Sequence, residues 1–211
     1  MRQFLYSIRI GTAALGFFFA SSAALATLQQ HESNFVELVG KSELILRGTV
    51  KNVTDGIDAR GLPYTEVTLR VAETIRGPAG NEYTFRQFGL LKPRNMGNGY
   101  VNLMVTPAGW TTYAQGEEAI FFLNRHAKFT GLQTTVGLGQ GKFKVSMAGA
   151  TNTANNAGLF RRVKVDPAVL SEPDRRVMNT SRGAVNAKAF TALVRKTVEG
   201  HWIEQGVMRN E

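Results

Sequence analysis

The chain contains no cysteine. Disulfides, thiol catalysis, thiolate metal sites and a lipidated N-terminal cysteine are excluded together, so packing alone must hold the fold. Histidine is scarce as well. His31, His126 and His201 are dispersed and never spaced i, i+4, which leaves no local metal-binding pattern. There is no G-x-S-x-G elbow, and a Ser-His-Asp triad has no specific support. Internal repeats are absent, and no segment beyond the N-terminus is apolar enough to cross a bilayer. These absences imply no cofactor and no metal, and the expectation is a protein that is not an enzyme.

What is present begins with an export pattern. Arg2 and Arg9 precede the apolar residues 10–20 (IGTAALGFFFA), and Ala24, Leu25 and Ala26 complete an A-x-A cleavage motif. Residues 1–26 are expected to be a signal peptide, their apolar run falling short of the ~20 residues of a spanning helix. The remaining residues 27–211 are expected to be periplasmic or secreted. They are long enough for one globular domain, with a core at about 42–145 and a basic C-terminal extension at about 146–211. Charge is uneven: residues 27–120 carry nine Lys/Arg against ten Asp/Glu, residues 121–211 fourteen against six. A basic face on the second half is one reading of this asymmetry, and solubility is the other.

Periodicity predicts a mainly β chain. Phe35, Leu38 and Val39 at helical spacing behind Ser33 predict a short helix ending near Gly40. In residues 42–53 (SELILRGTVKNV), Leu44, Leu46, Gly48 and Val50 share one strand face. In residues 64–77 (YTEVTLRVAETIRG), Thr65, Val67, Leu69, Val71 and Ile75 do the same, the alternation of a half-buried antiparallel strand. Residues 82–89 complete a hairpin, and residues 117–125 (EEAIFFLNR) read as a central strand apolar on both faces. Residues 148–158 (AGATNTANNAG) predict a mobile loop, residues 159–165 a last strand, and residues 187–198 a helix with Phe190, Leu193, Val194 and Val198 inward.

The glycine-rich residues 134–145 (TTVGLGQGKFKV) invite comparison with a phosphate loop. The match fails: Val136 and Phe143 stand where the first glycine and the hydroxyl belong, and the alternation that follows is that of a strand. The better reading is a tight corner between two short strands, with Lys142 and Lys144 forming a modest basic edge. Glu117 and Glu118 are adjacent on a strand and point to opposite faces, which argues against an acid/base pair.

Two binding features remain. Residues 91–115 form a long glycine- and proline-containing connection in which residues 100–105 (YVNLMV) suggest a short extra strand. Its Trp110 and Tyr113 either anchor a partner or fold back to cap the core. Arg161, Arg162 and Lys164, with Arg175, Arg176 and Arg182 nearby in sequence, either read an anionic partner or form a solvated face.

The runs SELILRGTV, YTEVTLRVAETIRG and GEEAIFFL (residues 116–123) resemble the netrin-like barrel of the tissue inhibitors of metalloproteinases, and uncharacterised exported bacterial proteins of the same arrangement. The resemblance covers about half the chain. It implies a five- to seven-stranded antiparallel OB-like Greek-key barrel with a short N-terminal and a C-terminal α-helix. The animal inhibitors engage a protease zinc through a disulfide-bonded N-terminal cysteine, which this chain lacks, so that chemistry does not transfer. The expected function is an exported, non-enzymatic binding module acting through protein–protein contacts, with a partner in the envelope or outside the cell. The alternative is binding of an anionic polysaccharide or lipid surface through the basic C-terminal half, with nucleic acid ranking behind both.

Overall fold

A computed structural model describes residues 32–211; the expected signal peptide and His31 lie outside the described residues. Ten strands follow in order: β1 (Leu44–Ile57), β2 (Pro63–Arg76), β3 (Glu82–Phe88), β4 (Arg94–Asn95), β5 (Val101–Asn102), β6 (Glu118–Leu123), β7 (Lys142–Ser146), β8 (Gly149–Thr151), β9 (Val163–Val165) and β10 (Met208–Asn210). Three helices complete the set: α1 (Phe35–Lys41), α2 (Glu172–Met178) and α3 (Ala187–Glu199). Six strands form one antiparallel sheet in the order β3-β2-β1-β6-β7-β8; β4 pairs with β5, and β9 with β10.

The sheet separates two cores, and the strand alternation decides which side chain enters which. Leu44, Leu46 and Val50 of β1, Val67 and Leu69 of β2, Phe85 of β3 and Ala119, Phe121 and Leu123 of β6 fill the first. The intervening Ile45, Ile120 and Phe122 point the other way, where Phe143 of β7 and the apolar faces of α1 and α3 cover them. Phe143 lies 4.7 Å from Phe190 of α3 and 5.5 Å from Phe122, and Phe35 of α1 completes the aromatic cluster 6.0 Å from Phe190. Such offset and edge contacts add to the area each ring buries. The predicted two-faced character of β6 is thus realised.

Bulges redirect the strands. Ile75 packs with the helical core rather than beside Val71: the β1–β2 register shift between Ile45 and Leu46 leaves Ile75 itself unpaired, and the shift between Arg47 and Gly48 leaves Ala72 unpaired, so one phase reversal separates Val71 from Ile75. Each bulge inserts an unpaired residue and reverses the in–out phase beyond it. Gly48 sits at the second shift, where a Cβ would come within 2.6 Å of the Arg70 carbonyl oxygen.

The closed barrel expected from the resemblance is not the hydrogen-bonded ladder that forms, whose edges are β3 and β8. Thr135 bridges to Leu123 of β6, and the neighbouring Gln133 N–H donates to Arg86 O of β3 at 2.7 Å. The glycine-rich segment is a corner of a particular kind: a 3-10 turn over Leu138–Gly141 leads straight into β7.

Other expectations need correction. The N-cap of α1 is Asn34, whose side chain accepts from Glu37 N–H, while Ser33 N–H is taken by Gln140 Oε1 at 2.8 Å. The basic residues 159–165 supply a strand only from Val163 onward, so Arg161 and Arg162 precede it. Residues 148–158 are not a loose loop. They hold β8 and a buried amide network, in which Asn156 donates to Ala150 O and Gly183 O and accepts from Asn152 N–H. The helix α2 begins at a capping box between Ser171 and Asp174. Among the described residues, no helix is long and apolar enough to cross a membrane.

Phe122→Ala is expected to lower stability by about 3–5 kcal/mol, read as a fall in the urea midpoint. A loss below about 1 kcal/mol would contradict the central place given to this ring.

Candidate interaction surface

The connection from β3 to β6 divides into an exposed hairpin and a packed return. Its base is fixed by Gly89, at φ +100°, where a Cβ would meet Thr106 N at 2.4 Å. Leu90 is fully buried and exchanges hydrogen bonds across this contact, its N–H to Met104 O and its carbonyl from Thr106 N–H, both at 2.9 Å. Asp55 near the end of β1 fastens the outgoing leg, accepting from Leu91 N–H at 2.8 Å and pairing with Arg94. Beyond this base β4 and β5 form a short hairpin, whose turns are set by Asn95, Asn98 and Asn102 accepting from backbone N–H groups two residues on.

Apolar side chains concentrate on this hairpin. Of the eight large hydrophobic residues left exposed among the described residues, Leu91, Met96, Tyr100, Val101, Leu103 and Met104 lie here, Tyr100 being 73% and Leu103 70% exposed. A cluster of that kind marks an interaction surface more often than isolated exposed residues do. Phe129, 91% exposed, is carried on the loop after β6. Arg60 in the β1–β2 turn donates to Phe129 O at 2.8 Å and to Thr130 O at 3.3 Å, which brings that loop to the same end of the sheet as the hairpin. Asp58 accepts from Leu62 N–H and from Arg60, and these bonds hold its carboxyl below the usual carboxylate range against the opposing effect of burial.

The two aromatic residues singled out from the sequence sit on the packed return instead. Tyr113 stands 5.6 Å from Phe85 and 6.4 Å from Phe121, plugging the first core. Trp110 is half-buried, 6.4 Å from Phe88. Lys142 clamps this stretch from below: its ammonium donates to Thr112 O at 2.6 Å and Glu117 Oε2 at 2.8 Å, over the Tyr113 ring. Lys142 is therefore buried, and of the expected basic edge only Lys144 is exposed.

The basic residues of the C-terminal half do not gather into one open patch. Arg161 pairs with Glu32, and Lys164 with Glu211 at 3.1 Å. Arg162 is exposed at φ +56° without a counter-ion. Arg176 pairs with Glu172, Arg175 donates to Pro167 O, and Arg182 lines a separate shallow cleft with Glu32 and Arg161.

A groove of about 590 Å³ between α2 and α3 holds Ser171, Asp174 and Lys196. Ser171 Oγ donates to Asp174 Oδ2 at 2.5 Å, and Lys196 Nζ lies 2.6 Å from the same oxygen and 3.1 Å from Ser171 Oγ. Burial works to raise Asp174, but Lys196 and the Ser171 hydroxyl and N–H outweigh it and hold the carboxyl below its ordinary range. With the ammonium and the hydroxyl proton both committed to Asp174, the trio clasps two helices and offers no free base to a nucleophile. Among the described residues, no three His, Asp or Glu side chains gather as metal ligands.

Comparison of the chain with known protein families and with curated proteins returns no match. The exposed apolar residues that sequence reasoning did not single out are Leu91, Met96, Tyr100, Val101, Leu103, Met104 and Phe129. The run YVNLMV was the available signal, apolar at consecutive positions inside a connection rich in glycine.

The Tyr113 hydroxyl is sealed from solvent and has no well-formed hydrogen bond among the described residues, since the neighbouring Thr111 and Thr135 hydroxyls bond each other at 2.6 Å and both reach Leu138 O. Burial pushes this phenol well above the ordinary tyrosine range. Its contribution to stability is fully present below about pH 10 and is lost as pH rises further, because only the unfolded chain ionises readily there. Tyr113→Phe is expected to gain on the order of 1 kcal/mol at pH 7 and to flatten the alkaline decline in denaturant titrations. A clear loss at pH 7 would show that the hydroxyl has a partner.

Proposed function

We propose that this protein is an exported, non-enzymatic binding module whose contact surface is the apolar hairpin end of its sheet. The observation that carries the reading is the hairpin itself: six exposed large hydrophobic side chains on a base fixed by Gly89, Leu90 and Asp55. Preorganised apolar groups lose little conformational freedom on binding. Export rests on the signal-peptide pattern of residues 1–26.

The finer fold belongs to the same proposal. The neighbouring strands β6-β1-β2-β3 stand in Greek-key order. The segment around Gln133–Thr135 touches both β6 and β3, which supports an OB-like barrel of the netrin-like kind, closed by irregular pairing. The pairing of Arg161 and Lys164 with acids favours the hairpin over the basic C-terminal half as the contact surface.

Co-sedimentation of the purified protein with envelope fractions from its native cells tests this. Tyr100→Ser with Leu103→Ser is expected to cut retention by about tenfold or more, whereas Arg161→Ala, Arg162→Ala and Lys164→Ala together leave it nearly unchanged. The reverse pattern would overturn the assignment.

A further inference from the structure

Resting on that reading of the hairpin end, we infer that its partner is an anionic lipid bilayer. Leu91, Tyr100, Leu103 and Phe129 enter the interface, and Lys92 and Lys128 meet lipid phosphates. Charge complementarity carries the choice. Residues 83–116 and residues 119–165 contain no Asp or Glu, so both exposed apolar loops belong to acid-free stretches. The acids of the adjoining β1–β2 arm are already engaged: Asp55 by Arg94 and Leu91 N–H, Asp58 by Arg60 and Leu62 N–H, and Glu66 by Arg86. Lys92 and Lys128 are exposed and have no acidic partner.

The apolar residues also suit a lipid interface better than a protein pocket. They project from a narrow hairpin and a loop tip rather than line a concave site. Met96 and Met104, being unbranched and adaptable, need no matching shape. Tyrosine settles at headgroup level with its ring in the apolar zone, and lysine extends its stem so that the ammonium reaches phosphate. Neither part suffices alone: stable peripheral attachment takes an apolar anchor together with basic residues. The Arg60 bonds to Phe129 O and Thr130 O and the Asp55 clasp fix both apolar loops to the same end of the β1–β2 pair, so they engage a surface together.

The test is vesicle co-sedimentation of the purified protein. It is expected to bind vesicles of phosphatidylethanolamine with phosphatidylglycerol and to bind phosphatidylcholine vesicles much more weakly, with added salt weakening the first. Lys92→Ser with Lys128→Ser is expected to lower anionic-vesicle binding about tenfold or more; Tyr100→Ser with Leu103→Ser is expected to abolish it. Unchanged thermal midpoints show that these surface variants fold. Equal binding to both vesicle types would overturn the role of charge. Failure to bind anionic vesicles, with hairpin-dependent retention on native envelopes intact, would overturn the lipid inference, point to a protein partner and leave the contact surface standing. Loss of hairpin dependence in both assays would overturn the two together.

Discussion

Nearly everything in this protein leans on β6. Five of its six residues alternate between two dry cores, with Ala119, Phe121 and Leu123 on one side and Ile120 and Phe122 on the other. A strand buried on both faces has no direction in which to relax, so neither core can repack without disturbing the other. With no cysteine to form a disulfide, this shared wall couples α1 and α3 to the long β1–β2 pair. It also sets where the coupling ends. β6 pairs with β1 only from Leu44 to Thr49, whereas β1 runs on to Ile57. Beyond Thr49 the β1–β2 ribbon leaves the helical core and keeps only the first, through Val53 and Val67, and the apolar hairpin is fastened near its end by Asp55.

Much of this was legible in the sequence, for a reason that also explains the remainder. Alternation of apolar residues located β1, β2 and β6, and the spacing of Phe190, Leu193 and Val194 located α3, because burial on one face leaves a periodic trace. Bulges leave none. Ile75 keeps the parity of Val71 and yet enters the other core, since an inserted residue shifts the phase without changing composition. The asparagines of residues 148–158 carried the signature of a loop. What fixes them is long-range satisfaction of buried amides, by Gly183 O and Gln140 O among others, and no local pattern records that. The bond from Gln133 N–H to Arg86 O, on which the proposed barrel closure rests, likewise joins residues distant in sequence, and Gln133 lies outside any regular strand.

The candidate surface was half legible. The long glycine-containing connection marked the segment, but not which of its side chains face out. Aromatic rings are favoured in cores and in interfaces alike, so Trp110 and Tyr113 drew attention for a property that does not separate the two. The deciding residue was Lys142, whose ammonium reaches Thr112 O and Glu117 and draws Tyr113 inward. Once the return leg is spoken for, nothing among the described residues covers the exposed apolar side chains of residues 91–104. In the basic half, charge counting overstated the open positive surface because cations such as Lys142, Arg195 and Lys196 are spent on Glu117, Glu73 and Asp174.

The contrast between the base and the end of the hairpin bears most directly on function. A connection with no task beyond joining β3 to β6 needs neither the close approach at Gly89 nor the clasp of Asp55 on Leu91 and Arg94. Such contacts order the chain at a conformational cost of about 1–2 kcal/mol per residue, which the buried Leu90 helps to offset. Carrying that order outward to side chains that then face solvent returns nothing to folding, because their apolar area stays in water. The return comes only when something apolar meets them. The acid-free composition of the two loops narrows what that can be, since Lys92 and Lys128 there lack a counter-charge. An ordered, apolar end bearing the uncompensated Lys92 and Lys128 has its physical complement in an apolar phase faced with anions, which is what the proposed contact with an anionic membrane supplies.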